Sequence, residues 1–239
     1  MEEDTLMSKN SDDLQGRRRF LTGVGLVATT AALSNSAAAQ DHNHEQHHGF
    51  TPARHDEDAW MDAKPGIHRV FLDSSTGNGG ITALNYANNL MFAHELDYEG
   101  GKESDYGIIV CFRHASTSFG YNDAMWEKYG EVFSRVTQFN NRDTDSPWHQ
   151  NPLMIEGTNF ASRGNTIESL VARGNVSYVI CSKATMSMSQ SLSRSLGGNA
   201  DDYFQELTAN NIPNSRFVPA GVIAATRAQE YGYSLLYAG

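Results

Sequence analysis

The chain has 239 residues and a formal net charge of −10 at pH 7, and 39% of its residues are hydrophobic. Residues 1–39 hold four basic and five acidic side chains, so −9 of this charge belongs to the 200 residues that follow. That length predicts one domain with a substantial core. An acidic surface repels phosphate backbones, which argues against nucleic-acid binding.

The first residues have the three parts of an export signal. Arg17, Arg18 and Arg19 precede a mildly apolar run over 20–33, and residues 37–39 are three alanines. This order is typical of a secretory signal, and paired arginines indicate the twin-arginine route. The alternative is a membrane anchor, but a spanning helix needs roughly 20 apolar residues. We therefore expect a signal peptide over 1–39 and a periplasmic location. No second long apolar segment follows, which predicts a soluble mature domain.

A polar, histidine-rich segment follows the signal. Residues 40–64 show little periodicity and are expected to form a flexible arm. Imidazole groups suit Zn, Cu and Ni, so the arm is either a transition-metal site or a solvated polar linker. The candidate metal ligands are His42, His44, His47 and His48.

Strand and helix patterns alternate through the rest of the chain. Strands are predicted over 67–73, 106–112, 176–181, 216–219 and 233–237. Helices are predicted over 81–94, 122–136, 165–172, 183–196, 201–210 and 220–231, with a loop-like insert at about 139–160. This alternation predicts an α/β domain over 65–239, a three-layer α/β/α sandwich around a mainly parallel five-stranded sheet.

Ligands of such sheets bind beyond the carboxyl ends of the strands. That rule points to residues 74–80, 113–118 and 181–186. The first of these reads SSTGNGG and can cradle an anion at a helix start, although it lacks the G-x-G-x-x-G spacing of a dinucleotide site. The candidate ligand-binding residues are Ser75, Gly77, Asn78, Ser116 and Lys183.

Both cysteines of the chain, Cys111 and Cys181, end apolar strand patterns. In an oxidising compartment they can form one disulfide. Cys181 is alternatively a reactive thiolate near a helix start and Lys183, or a buried core residue; for Cys111 we favour the core. His114 can line the same cleft and activate the thiol, or can instead hydrogen-bond a loop.

The region around Cys181 resembles the DsrE/DsrF-like family. Residues 176–186 read VSYVICSKATM, residues 217–222 read FVPAGV, and Arg227, Gln229, Gly232 and Tyr233 follow. The resemblance spans about 67–236. It implies a compact α/β/α fold and a homo-oligomer, commonly a trimer or hexamer. Some members relay sulfur as a cysteine persulfide, and their reactive cysteine matches Cys181.

Three functions remain open from the sequence. The first is an exported DsrE-like protein that binds a small ligand or sulfur species near Cys181 and His114, with a persulfide relay as its chemistry. The second is a non-catalytic accessory subunit of a larger periplasmic or membrane-associated assembly. It would dock through the arm or the insert, whose aromatic residues Phe139 and Trp148 cover the cleft, contact another subunit or are buried against the domain. The third is a metal-binding protein that uses the histidine arm.

Overall fold

A computed structural model describes residues 51–141, 143–157 and 164–239. The predicted signal peptide over 1–39 lies outside these residues, and so do His42, His44, His47 and His48. Among the helices that are described, none has the length and apolar character needed to cross a membrane.

Five parallel strands form a single sheet in the described part of the chain. The strands are β1 (His68–Ser74), β2 (Tyr106–Phe112), β3 (Asn175–Cys181), β4 (Ser215–Val218) and β5 (Ser234–Tyr237), in the order β4-β3-β2-β1-β5. Neighbouring strands pair in parallel throughout. β1, β2 and β3 are buried over most of their length, which is why their sequences are apolar without alternation. The predicted five-stranded sheet is confirmed.

Six α-helices and three short 3-10 helices accompany the strands in the residues that the structure describes. The α-helices are α1 (Gly77–Asp97), α2 (Asp123–Thr137), α3 (Ile167–Arg173), α4 (Ser182–Leu196), α5 (Ala200–Ala209) and α6 (Gly221–Glu230). Side-chain caps fix several of their starts: Thr76 accepts from the Gly79 N–H, and Asn122 accepts from the Met125 N–H. The 3-10 helices Asp56–Met61, Glu103–Asp105 and His114–Gly120 were not predicted, because one or two turns show no periodicity.

The two faces of the sheet are covered differently. On one face, α1, α2 and α4 contribute Leu84, Trp126 and Leu192 to a large apolar core. On the other face, α6 brings the small side chains of Ala224, Ala225 and Ala228 against the sheet. The arrangement is the expected three-layer α/β/α sandwich, with a thick and a thin outer layer.

The packed domain begins earlier than residue 65. The arm was predicted to be flexible over 40–64, but within its described part the 3-10 helix Asp56–Met61 covers the thin face. The Met61 side chain is fully buried there, and the Tyr233 hydroxyl donates to the Met61 carbonyl oxygen at 2.7 Å. A single buried methionine in a polar segment leaves no periodic signal in the sequence.

The described part of the insert packs against the domain. Phe139, Trp148 and Leu153 are buried in the thick-face core. The Asn151 amide donates to the carbonyl oxygens of Phe119 and Tyr121 at 2.9 and 2.8 Å. Phe139 and Trp148 are therefore buried within the domain, which is one of the alternatives that the sequence left open for them.

Candidate functional site at the carboxyl edge of the sheet

Cys181 lies at the junction of β3 and α4. It is the N-cap residue of α4, and its Sγ accepts from the Ala184 N–H at 3.4 Å. Its carbonyl oxygen accepts from the Thr185 hydroxyl at 3.0 Å, and Thr185 in turn accepts from the buried Tyr121 hydroxyl. The residue is 6% exposed. A sulfur at the first turn of a helix lies in a field that favours a negative charge.

Cys111 occupies a different environment on the neighbouring strand. It is fully buried in the thin-face core, where it lies in register with Val179, two residues before Cys181. Burial, and then the Asp73 carboxylate, raise the pKa of the Cys111 thiol well above its ordinary value. Both cysteines are free thiols. Cys111 therefore behaves as the core residue that the sequence favoured.

Arg113 and Asp73 close the end of β2 above Cys111. The guanidinium binds the carboxylate through two hydrogen bonds, Nε to Oδ1 at 2.7 Å and Nη2 to Oδ2 at 2.8 Å. Both side chains are largely buried, and the pair raises the pKa of Arg113. The start of α6 completes the closure, because a Cβ at Gly221 would lie 2.8 Å from Arg113 Cβ and 3.0 Å from Cys111 Sγ.

His114 follows at the start of a 3-10 helix, in a left-handed conformation with φ of 50°. Its exposed side chain lines a shallow hollow of about 170 Å³ together with Ala184 and Ser187 of α4. Among the described residues, no hydrogen bond joins His114 to Cys181, although both border the first turns of α4. The His114 imidazole thus lies beside α4 but does not hydrogen-bond the Cys181 thiol.

The predicted anion cradle after β1 is occupied by the chain's own last residues. The N–H groups of Ser75 and Thr76 donate to the Gly239 oxygen at 2.6 and 3.1 Å. The Ser75 hydroxyl also contacts the Tyr237 hydroxyl at 2.7 Å. A Cβ at Gly79 would lie 2.1 Å from the Gly239 oxygen, so this glycine permits the close approach. Binding of an anion by this turn stays a prediction, since the acceptor that its N–H groups contact belongs to the chain itself.

The other predicted ligand-binding residues are separated by the fold. Gly77 packs against α2, where its Cβ would meet the Thr137 carbonyl oxygen at 2.4 Å. Asn78 lines a polar cavity of about 500 Å³ that faces α2 and the insert. Ser116 is buried and braces the strand ends through hydrogen bonds with Ser74 and Arg113. Lys183 is exposed on the first turn of α4, beside Cys181.

The sequence did not predict a groove near the β5 edge of the sheet, away from Cys181 on β3. It lies between α1 and the edge strand β5, has a volume of about 460 Å³, and is mainly aromatic. One wall is formed by α1 residues four apart, Tyr86, Leu90 and His94. That spacing was visible in the sequence as part of the apolar helix pattern, where it indicated only core packing.

No metal centre is formed by the residues that the structure describes. They contain no group of three or more His, Cys, Asp or Glu side chains that could hold an ion. The histidine cluster of the arm lies outside the described residues, so it remains a prediction.

No protein-family model, no curated protein and no solved structure matches this chain.

Proposed function

We propose that this chain is an exported DsrE-like protein that carries sulfur as a persulfide on Cys181. The observation that carries the proposal is the position of the Cys181 sulfur, which accepts from the Ala184 N–H at the N-cap of α4. A helix start stabilises a thiolate, and the thiolate is the nucleophilic form of cysteine. The resemblance of residues 176–186 to the family supports the same cysteine.

The chemistry requires one thiolate and a sulfane-sulfur donor. The Cys181 thiolate attacks the outer sulfur of a low-molecular-weight persulfide or polysulfide. A new sulfur–sulfur bond forms to Cys181, the donor's own sulfur–sulfur bond breaks, and the donor leaves as a thiolate with the bonding electron pair. A second thiolate reverses these steps when it accepts the sulfur. The exchange consumes no oxidant, so it suits a protein that shuttles sulfur between partners.

The surroundings of Cys181 support this role. Lys183 adds positive charge in the first turn of the same helix. The hollow beside His114 and Ser187 is lined by Ala184, whose N–H contacts the Cys181 sulfur, but not by Cys181 itself. Cys111 is fully buried in the thin-face core and lies out of reach of a donor. The two cysteines therefore provide a matched pair for a test.

The test is persulfide loading of the full chain. The protein is treated with inorganic polysulfide, desalted under non-reducing conditions and measured by intact mass spectrometry. We expect a gain of one sulfur atom that dithiothreitol removes. Cys181→Ala should abolish the gain and Cys111→Ala should retain it. A gain that survives Cys181→Ala, or no gain in the folded wild-type chain, would overturn the proposal.

A further inference from the structure

The groove between α1 and β5 is lined by aromatic rings that are open to solvent. Tyr86 and Tyr98, at the start and end of its α1 wall, are 38% and 65% exposed. Tyr237 on β5 is 58% exposed, and Tyr106 at the start of β2 is half-buried. The volume of about 460 Å³ falls in the range of small-molecule sites. Four tyrosines line this hollow, and the face of a tyrosine ring carries the negative part of its quadrupole.

The carboxylate of Asp105 contacts the groove residue His94. His94 lines the groove, and its Nε2 lies 3.1 Å from Oδ2 of Asp105. The ring of His94 also contacts the rings of Tyr98 and Tyr106, with centroids 5.1 and 5.4 Å apart. The backbone N–H of Lys102 donates to Asp105, and this bond, followed by the one to His94, lowers the pKa of the Asp105 carboxyl. The carboxylate therefore stays charged at neutral pH.

The charge around the groove is negative as well. The segment 95–105 carries five carboxylates and one lysine. The guanidinium of Arg113 lies 5.9 Å from the Tyr237 ring and is already bound by Asp73. That of Arg173 binds Glu103, one of the five carboxylates. A cationic ligand is thus attracted by both the carboxylates and the ring faces, whereas an anionic ligand is repelled.

We infer that the groove between α1 and β5 binds a small ligand with a quaternary or otherwise alkylated ammonium group. Tyrosine faces around a hollow recognise such groups through cation–π attraction, and the alkyl substituents favour apolar contact with Leu90 and Leu236. This site is separate from Cys181 and does not depend on the proposed persulfide chemistry. It adds a second binding function at the opposite side of the sheet.

The competing occupant is a second copy of this chain. β5 is an edge strand whose residues, including Leu235 and Leu236, are all exposed. Such an edge can pair with another strand. The local excess of carboxylates opposes this arrangement, because two acidic surfaces would meet across the interface.

The experiment compares two probes of equal shape and different charge. The full chain is titrated calorimetrically with choline and with 3,3-dimethylbutan-1-ol, in which carbon replaces the charged nitrogen. Cation–π and carboxylate attraction predict that choline binds about 2- to 30-fold more tightly than the alcohol. Equal affinities, or no choline binding, would overturn the inference.

Two matched variants locate the effect in this groove. Tyr98→Phe keeps the ring face and should retain choline binding, whereas Tyr98→Leu removes it and should weaken binding several-fold. Asp105→Asn should weaken binding of choline and leave that of 3,3-dimethylbutan-1-ol unchanged. Equal effects of the two Tyr98 variants on choline would contradict the inference. A dimer detected by light scattering, together with no calorimetric binding of choline to that dimer, would also contradict the inference.

Discussion

The ends of β2 and β3 place two cysteines on adjacent strands, with opposite consequences. Beyond Cys111 the chain adds Phe112 and Arg113 and then turns into the 3-10 helix His114–Gly120. Cys181, by contrast, is the last residue of β3 and caps α4 directly. Both cysteines are buried, but only the sulfur of Cys181 lies at the first turn of a helix, beside backbone amides.

The difference shows that the segment after a strand decides what its last side chains can do. Ser74 and Ser116 hydrogen-bond each other across the ends of β1 and β2, and Arg113 binds Asp73 above them. These contacts seal the end of β2 with polar groups that satisfy one another. After Cys181, by contrast, α4 begins at the next residue, Ser182, so no connecting segment of this kind lies between strand and helix. The Cys181 thiol keeps a helix-start amide as its hydrogen-bond partner.

The largest expected effect follows from breaking the seal at β2. Arg113→Ala leaves the Asp73 carboxylate largely buried without its cation. Removing one partner of a buried ion pair typically lowers the free energy of unfolding by about 3–5 kcal/mol. Urea unfolding followed by circular dichroism measures the loss. We expect Cys111 to become reactive toward iodoacetamide in the same variant, since its cover is weakened.

An exposed ion pair provides the control for Arg113→Ala. Lys128 binds Glu206, and both side chains are substantially exposed to water. Lys128→Ala should change the free energy of unfolding by less than about 1 kcal/mol, because exposed pairs contribute little. Equal losses in the two variants would mean that the Arg113–Asp73 pair does not seal the strand end.

The burial of Cys111 predicts an effect of alkaline pH on stability. The unfolded chain releases this thiol proton above about pH 8.5, whereas the folded chain keeps it, so rising pH favours unfolding. Relative to Cys111→Ala, the wild type should lose about 1.4 kcal/mol of unfolding free energy per pH unit above that point. Urea titrations between about pH 8 and pH 10 measure this slope.

Cys181→Ala serves as the comparison in the same titrations. It retains Cys111, so its stability should fall with pH as the wild type's does. Parallel curves for the wild type and Cys111→Ala would show that the buried thiol does not control the alkaline slope.

The order of elements could be predicted from the sequence because its periodic signals are long. The apolar runs of β2 and β3 and the helical pattern of α1 and α4 are local features, and the structure confirms them. The short 3-10 helices have no such pattern. Met61 likewise shows its burial only in the packed domain.

The candidate site could be predicted only in part, since its contacts join distant segments. Asp73 and Arg113 are 40 residues apart, and nothing in their local sequence indicates that they pair. Ser75 was predicted to bind an anion, but in the structure its N–H and that of Thr76 donate to the Gly239 oxygen. Spacing identified the edge of the sheet where these groups meet. It did not identify which groups satisfy one another.

The smallest expected effect concerns Cys181 at the end of β3. Lys183 is the cationic side chain of the first turn of α4, two residues after Cys181, and we expect its charge to speed the reaction of Cys181 with an electrophile. One exposed charge of this kind contributes about 0.3–1 kcal/mol, so Lys183→Ala should slow iodoacetamide labelling of Cys181 about 2- to 5-fold at fixed pH. Peptide mapping of labelled samples measures the rate. Arg194→Ala, at the other end of α4, should leave it unchanged. The difference should shrink in high salt, because salt screens exposed charges; a rate insensitive to both Lys183 and salt would mean that the helix-start amide alone sets the reactivity of Cys181.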